Sequence, residues 1–391
     1  MQAVILAGGR GTRLRPITNS IPKPMIMFHG KPFLEYLIIQ LKEQGIKKVL
    51  LLLGYLPDVI MNYFKDGRQY GIHIEYHISD VDNDTGKRLF IAKHKIDSYF
   101  FLLYCDNYIP VNLKKMWKQF HCLDVIGQLT IYNNKDLYST DNVFVNNSHL
   151  IEIYDKTRTI KQLNGVDIGY AIFCKEVFHF LPDKNINFEA HVYSELVKKN
   201  KLAAFTTDHR YYSVSNHDRL HLTEQFLNDK KVIFLDRDGV LNRKRPKATY
   251  VTKWNEFIWI DGAKKALQML SMSKFTIIII TNQAGIARGI MTVEDLDNIH
   301  NAMKNELALS GIQISAIYYC PHGWDDNCEC RKPKPGMLYK AQKDFHLDLT
   351  KTILIGDDER DMLAGNEAGC LTYMVNDKQS LLKIVKTLIL K

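Results

Sequence analysis

The chain has 391 residues, 46% of them hydrophobic and 11% aromatic, with a formal net charge of +9. That length exceeds one ordinary domain and the composition suits packed globular domains, so two domains are expected and wholesale disorder is excluded. No apolar run approaches the ~20 residues of a membrane helix, and the lysines are spread along the chain without a nucleic-acid-binding signature, so neither membrane nor nucleic acid is an expected partner.

The first residues, MQAVILAGGRGTR, hold a short apolar segment with no basic stretch before it, unlike a secretory leader. A cytoplasmic protein is expected, and its seven cysteines are then expected to be reduced. AVILA (3–7), VLLLL (49–53) and YFFLLY (99–104) read as buried parallel strands. Ligands of open parallel sheets gather at the carboxyl ends of the strands. LAGGRGTRLRPITNSIPKPM (6–25) follows the first of them. Its glycines let backbone N–H groups turn towards phosphates, and Arg13 and Lys23 bring charge, although plain turns also use glycine-rich loops.

This longer stretch resembles the signature of the sugar-1-phosphate nucleotidyltransferases, particularly the mannose- and heptose-1-phosphate guanylyltransferase group, over roughly residues 1–225. The resemblance implies that Gly8, Gly9, Gly11, Thr12, Arg13 and Lys23 hold an NTP whose α-phosphorus is attacked by a sugar phosphate. LLYCDN (102–107) resembles the strand end whose aspartate, here Asp106, binds Mg²⁺. TG (85–86) matches part of a loop near the nucleobase. YDK (154–156), DIGY (167–170) and FE (188–189) resemble sugar-side motifs and imply Lys156, Gly169 and Glu189 as sugar-phosphate contacts. Two departures stand out. DTGKR (84–88) replaces a Gly-Thr-Gly-Gly segment of many members, and Ser213 stands where the family has its second metal aspartate, with Asp208 and Asp218 out of register. A serine hydroxyl is a poor substitute for a carboxylate on Mg²⁺. Transfer with one protein carboxylate is expected ahead of a domain that binds nucleotide sugar without turnover.

LNDKK (227–231), between a helical segment and a new apolar run, is the expected domain boundary. Beyond it VIFL (232–235), TIIII (276–280) and TILI (352–355) read as further buried strands. Asp236 and Asp238 follow the first, where one carboxylate can attack as a nucleophile while the next serves as acid and base. Thr281 and Asn282 follow the second with a hydroxyl and an amide for phosphate oxygens, and Arg331 and Lys332 supply cations for a transferring phosphoryl group. Asp357, Asp358 and Asp361 follow the third, and carboxylates at adjacent strand ends imply Mg²⁺. Each could instead be a helix cap, a turn or a surface charge, but four such pieces in this order make that reading weak. Cys320, His322, Cys328 and Cys330 fall within eleven positions; their spacing suits a closed tetrahedral site but is not the common finger spacing, leaving a metal clip, a disulfide knot or a redox pair open. The other cysteines read as apolar filler. SLLKIVKTLILK (380–391) reads as a packed helix, with a contact in a homo-oligomer as the alternative.

FLDRDGVLN, TNQAGIARG, CECRKPKPGM and IGDDERDM resemble the four motifs of haloacid-dehalogenase-type phosphatases, and more narrowly the D-glycero-D-manno-heptose 1,7-bisphosphate phosphatases and their histidinol-phosphatase relatives, over about 231–376. The resemblance implies an aspartyl-phosphate on Asp236, Asp238 as acid and then base, and phosphoryl binding by Thr281 and Asn282. It further implies Lys332 as the orienting cation, Arg331 as a substrate contact, and Mg²⁺ on Asp236, the Asp238 carbonyl and Asp357. The related phosphatases carry the Cys/His set as a Zn²⁺-bound loop. The fold class implied is α/β: two Rossmann-like three-layer domains, a nucleotide-diphospho-sugar transferase fold over 1–226 and a haloacid-dehalogenase fold over 231–376, then a helical tail, 377–391. The expected function is bifunctional: removal of the 7-phosphate from a heptose 1,7-bisphosphate, and nucleotidyl transfer, with GTP the expected donor, to heptose 1-phosphate. The rivals are a phosphatase beside a non-catalytic module, a histidinol-phosphate-type monoesterase, and a non-enzymatic scaffold.

Overall fold

The computed structural model describes residues 1–246 and 248–390. The chain divides into two compact units, Met1–Leu227 and a second that begins at Asn228.

The first unit is built on a seven-stranded sheet. In chain order its strands are β1 (Gln2–Ala7), β2 (Lys48–Leu53), β3 (His73–Ile78), β4 (Tyr99–Tyr104), β5 (Gly127–Tyr132), β6 (Val166–Cys174) and β7 (Leu202–Thr207), arranged β7-β5-β6-β4-β1-β2-β3. Side chains of a strand alternate between faces, and here the alternation feeds two cores. Ala3, Ile5, Val49 and Leu51 enter one, while Val4, Leu6, Leu50 and Leu52 enter the other. Each fully buried leucine or isoleucine contributes about 1.5–3 kcal/mol, so a one-residue register slip is strongly disfavoured. The expected strands run parallel, but β6 lies antiparallel to both β4 and β5. Its ladder shifts register between Asp167 and Ala171, and Gly169 takes a φ of 80° there. A bulge of this kind re-aims side chains, and it lies inside the DIGY segment.

The second unit carries a wholly parallel sheet: β8 (Val232–Leu235), β9 (Thr276–Asn282), β10 (Ala316–Cys320), β11 (Ile353–Gly356) and β12 (Leu371–Met374), in the order β10-β9-β8-β11-β12. Ile233, Leu235, Ile277 and Ile279 face one core, and Val232, Phe234, Ile278 and Ile280 the other. Strand β9 runs two residues further than the TIIII run, so Thr281 and Asn282 are its last two residues. The tail forms a helix, Leu381–Ile389, capped by Ser380 and buried through Leu381, Ile384 and Val385 against the helix Ala263–Met272. Among the described residues, no helix is long and apolar enough to cross a membrane.

Candidate functional site

In the second unit the central strand β8 ends at Leu235, and the next residues turn over the sheet edge. Asp236 N donates to Ile355 O of β11 (2.9 Å). Gly239 makes the turn at a φ of 94°, and a Cβ there would overlap the Asp357 carboxylate. The turn therefore requires both the backbone freedom and the missing side chain of glycine. Asp236, Asp238, Thr281, Asn282, Lys332 and Asp361 converge on one cavity of about 80 Å³, a scale suited to a phosphoryl group. Lys332 is 3% exposed, with Nζ 2.9 Å from Asp236 Oδ1, 2.5 Å from Asp361 Oδ1 and 3.0 Å from Ile280 O. Its backbone N donates to Asn282 Oδ1, and Asn282 Nδ2 donates to its carbonyl (both 3.1 Å), which fixes the lysine to the end of β9.

Burial pushes the Asp236 carboxyl well up; Lys332 opposes that, while Asp361 and Asp238 add to it. For Lys332, burial works against the charge, but Asp236 and Asp361 outweigh it and hold its pKa above the ordinary value. Burial also works against the charge on Asp238, and Arg237, Asn242 and Gln283 overcome it, holding that carboxyl below its usual range. The donors are specific. Arg237 Nη2 reaches both oxygens (3.1 and 2.9 Å), Asn242 Nδ2 donates to Oδ1 (2.9 Å) and Gln283 Nε2 to Oδ2 (2.8 Å). Arg237 is itself fully buried, with Nη1 3.2 Å from His300 Nε2.

Asp236, Asp357 and Asp361 each offer an oxygen within 4.8 Å of one another. Asp357 Oδ2 accepts from Lys244 (2.7 Å), but its Oδ1 is buried with no hydrogen-bond partner. An orphaned carboxylate oxygen in an acidic cluster fits a hard divalent cation. Asp361 is already matched by Lys332 and caps the helix Glu359–Ala368 by accepting from Asp358 N (3.1 Å). Asp358 is that helix's N-cap and is held by Arg360 (2.8 and 2.9 Å), outside the cluster. Arg331 does not line the cavity. Its Nη1 donates to His322 O (3.1 Å), and the guanidinium lies 4.8 Å from the Trp324 ring.

The four Cys/His side chains come together after β10. Cys320 Sγ lies 3.6 Å from both His322 Nδ1 and Cys328 Sγ, and Cys330 Sγ lies 3.2 Å from His322 Nδ1 and 3.6 Å from Cys328 Sγ. A tetrahedral ion bonded at ~2.3 Å to sulfur and ~2.0 Å to nitrogen sets edges of about 3.5–3.8 Å, close to these separations. All seven cysteines are free thiols, so neither a disulfide knot nor a cystine redox pair is built here.

In the first unit, Gly8, Gly9, Gly11, Lys23, Thr85 and Asp106 line a cavity of about 230 Å³ at the carboxyl edge of the sheet. Lys23 Nζ sits 2.6 Å from Asp106 Oδ2. Thr85 and Gly86 open the helix Thr85–Ala92 with Asp84 as N-cap. Lys156 pairs with Glu189, which is 5% exposed, and Gly169 N donates to Asp167 Oδ1 (2.9 Å). Thr12 and Arg13 lie exposed on a short 3₁₀ turn and do not line the cavity. Ser213 does lie beside Asp106: Tyr212–Ser213 pairs antiparallel with Asn107–Tyr108, and Val214 N donates to Asp106 O (2.9 Å). Neither Asp208 nor Asp218 compensates for it. The Asp208 carboxylate is taken by Asn133 (2.9 Å) and Lys135 (3.1 Å), and Asp218 is exposed on the helix His217–Leu227.

Sequence reasoning passed over Arg237, Gln283, Asn242, Lys244 and Arg360. Arg237, Asn242, Gln283 and Arg360 sit inside the motifs already quoted, so their positions were visible while their partners were not. Lys244 meets Asp357 across 113 residues of chain, which no local pattern reveals.

Residues 2–256 match the nucleotidyl transferase family, and residues 231–378 match the polynucleotide kinase 3 phosphatase family. The D-glycero-beta-D-manno-heptose-1,7-bisphosphate 7-phosphatase of Bordetella bronchiseptica is 39% identical over 145 residues, 37% of this chain and 80% of that protein. The D-glycero-alpha-D-manno-heptose-1,7-bisphosphate 7-phosphatase of Campylobacter jejuni is 41% identical over 150 residues, 38% of this chain and 84% of that protein. A crystal structure from Bacillus anthracis, assigned as a glucose-1-phosphate thymidylyltransferase, is 18% identical and covers 59% of this chain and 96% of its own, with a TM-score of 0.52. That last likeness bears on fold alone.

Proposed function

The chain belongs to the nucleotidyl transferase family and, in its second unit, to the family of heptose 1,7-bisphosphate 7-phosphatases, and on that premise we propose a bifunctional enzyme of activated-heptose synthesis. The second unit removes the 7-phosphate from a heptose 1,7-bisphosphate. The first joins the resulting heptose 1-phosphate to a nucleotide, GTP by our reading, with release of pyrophosphate.

The convergence of Asp236, Asp238, Lys332 and Asp357 at one sheet edge carries the phosphatase reading. Asp236 attacks the phosphorus to form an aspartyl-phosphate, and Asp238, which takes up a proton as the phosphate's negative charge arrives beside it, gives that proton to the departing sugar oxygen. Asp238 then takes a proton from the water that cleaves the acyl phosphate, a step that suits a carboxylate already held ionised by three donors. Thr281 and Asn282 bind phosphoryl oxygens, and Lys332 offsets their charge while holding Asp236 in place. Asp236, Asp357 and the Asp238 carbonyl would hold Mg²⁺, which would supply further neutralisation of phosphate charge. Zn²⁺ is the ion that suits Cys320, His322, Cys328 and Cys330, as a structural clip with no open position. The clip fixes the loop that delivers Lys332; Arg331 serves chiefly to brace that loop through His322 O.

In the first unit the glycine loop and Lys23 hold the nucleotide phosphates, Asp106 would hold Mg²⁺, and Lys156 and Glu189 face the sugar phosphate. Ser213 beside Asp106 favours a second reading, a domain that binds nucleotide without transfer. Incubation with heptose 1-phosphate, GTP and Mg²⁺ decides between them. Pyrophosphate release supports transfer, and GTP binding without release supports the second reading. Phosphate release from both anomers of heptose 1,7-bisphosphate, set against histidinol phosphate, tests the first activity; a preference for histidinol phosphate would overturn the sugar assignment.

A further inference from the structure

Arg88 is 3% exposed, in the first turns of the helix Thr85–Ala92. Its guanidinium donates to Leu53 O (2.9 Å), Ser79 Oγ (2.8 Å), Gly8 O (3.3 Å) and Val81 O (2.9 Å). Those acceptors follow β1, end β2 and follow β3, so one side chain ties three adjacent strand ends. The tie needs close approach: a Cβ on Gly8 or Gly54 would collide with the guanidinium. Gly8, Val81 and Arg88 all line the cavity that also holds Lys23 and Asp106.

All four partners are neutral. Among the described residues, no carboxylate forms an ion pair with Arg88, whereas Lys23 is matched by Asp106 at 2.6 Å. Burial works against the Arg88 charge, and Asp80 and Asp84 offset it only in part. A guanidinium cannot shed its proton to escape burial, and a buried charge without a counter-charge is costly. The cavity therefore has a positive charge directly beneath the glycine loop. An anionic ligand on that loop relieves the cost.

We propose that Arg88 is the standing cation of this pocket: a positioning residue that ties the strand ends under the glycine loop, with a charge matched by the phosphates of a bound nucleoside triphosphate. The inference rests on the reading of this unit as a nucleotide site. It makes a distinction that loop bracing alone does not: the effect of the charge grows with ligand charge, whereas a purely structural brace affects every nucleotide alike.

The test is equilibrium binding of GMP, GDP and GTP to the full chain, as wild type, Arg88→Gln and Arg88→Lys. For Arg88→Gln, GTP affinity is expected to fall about tenfold or more, GDP less and GMP least. Arg88→Lys, which keeps the charge but not the fork, should retain most of the rise in affinity from GMP to GTP. Phosphatase kcat/KM should stay unchanged in both. Equal losses for all three nucleotides in Arg88→Gln, or a lysine variant as weak for GTP as the glutamine one, would overturn the proposal. Should the glutamine variant fail to fold, Arg88→Met takes its place with the same readout: a loss that grows from GMP to GTP supports the proposal, and equal losses overturn it. A wild-type chain that binds none of the three would overturn the nucleotide reading, and the inference with it.

Discussion

The two units place their chemistry at the same kind of location, the carboxyl edge of a buried sheet, but complete it to different degrees. In the second, Asp236 meets a buried lysine, a turn glycine and a third strand's Asp357, and the Asp238 carboxylate has three donors. In the first, the cavity is formed and the glycine loop lines it, yet Asp106 is paired to Lys23, and Ser213 is the strand partner of its neighbour Asn107.

Four experiments bear on this contrast. The largest effect is expected of Asp236→Asn, which should lower phosphate release on the order of 10⁴-fold while leaving nucleotide binding intact; unchanged release would break the phosphatase side. Next, Cys330→Ser should remove zinc from the protein, measured by metal analysis, and lower phosphatase kcat/KM by about 10- to 100-fold through loss of the loop. A folded, thiol-reduced wild type without zinc would refute the clip. Ser213→Asp sharpens the comparison from the other side. A second carboxylate beside Asp106 should raise pyrophosphate release about tenfold and make Tm depend on Mg²⁺; no gain would mean that the missing carboxylate is not what separates the units.

The smallest effect concerns stability. Burial, then the nearby Arg237, lowers the His300 pKa from 6.5 to about 3. Between those values the unfolded chain binds a proton that the folded chain does not, so stability is present above pH 6.5 and is lost as pH falls towards 3. Chemical denaturation of His300→Gln across that range should show a shallower loss than wild type. An identical slope would contradict the neutral, buried imidazole.

Much of this was legible in the chain itself. YFFLLY and VIFL form the strands Tyr99–Tyr104 and Val232–Leu235 without a shift, because continuous apolar runs admit few other solutions in a layered α/β fold. The Asp236, Thr281, Lys332 and Asp357 convergence follows from strand ends meeting at one edge. Strand β6 was not legible: Asp167 and Gly169 break its apolar run, and they do so because the strand bulges there. Arg88 was hidden for the opposite reason. A cation on a helix is ordinarily solvated, and nothing local shows that three strand ends offer it carbonyls. The direction of Arg331 was similarly out of reach, since it depends on Trp324 and His322 folding back over the loop.

The central claim is that one chain carries two separable reactions. It is tested most directly by measuring phosphate and pyrophosphate release together, from heptose 1,7-bisphosphate with GTP and Mg²⁺, for wild type, Asp236→Asn and Asp106→Asn. The account predicts that wild type releases both. Asp236→Asn should release no phosphate from the bisphosphate but should release pyrophosphate when supplied with heptose 1-phosphate, and Asp106→Asn should release phosphate from the bisphosphate but no pyrophosphate. A wild type that never releases pyrophosphate, or an Asp236→Asn variant that still releases phosphate, would contradict it.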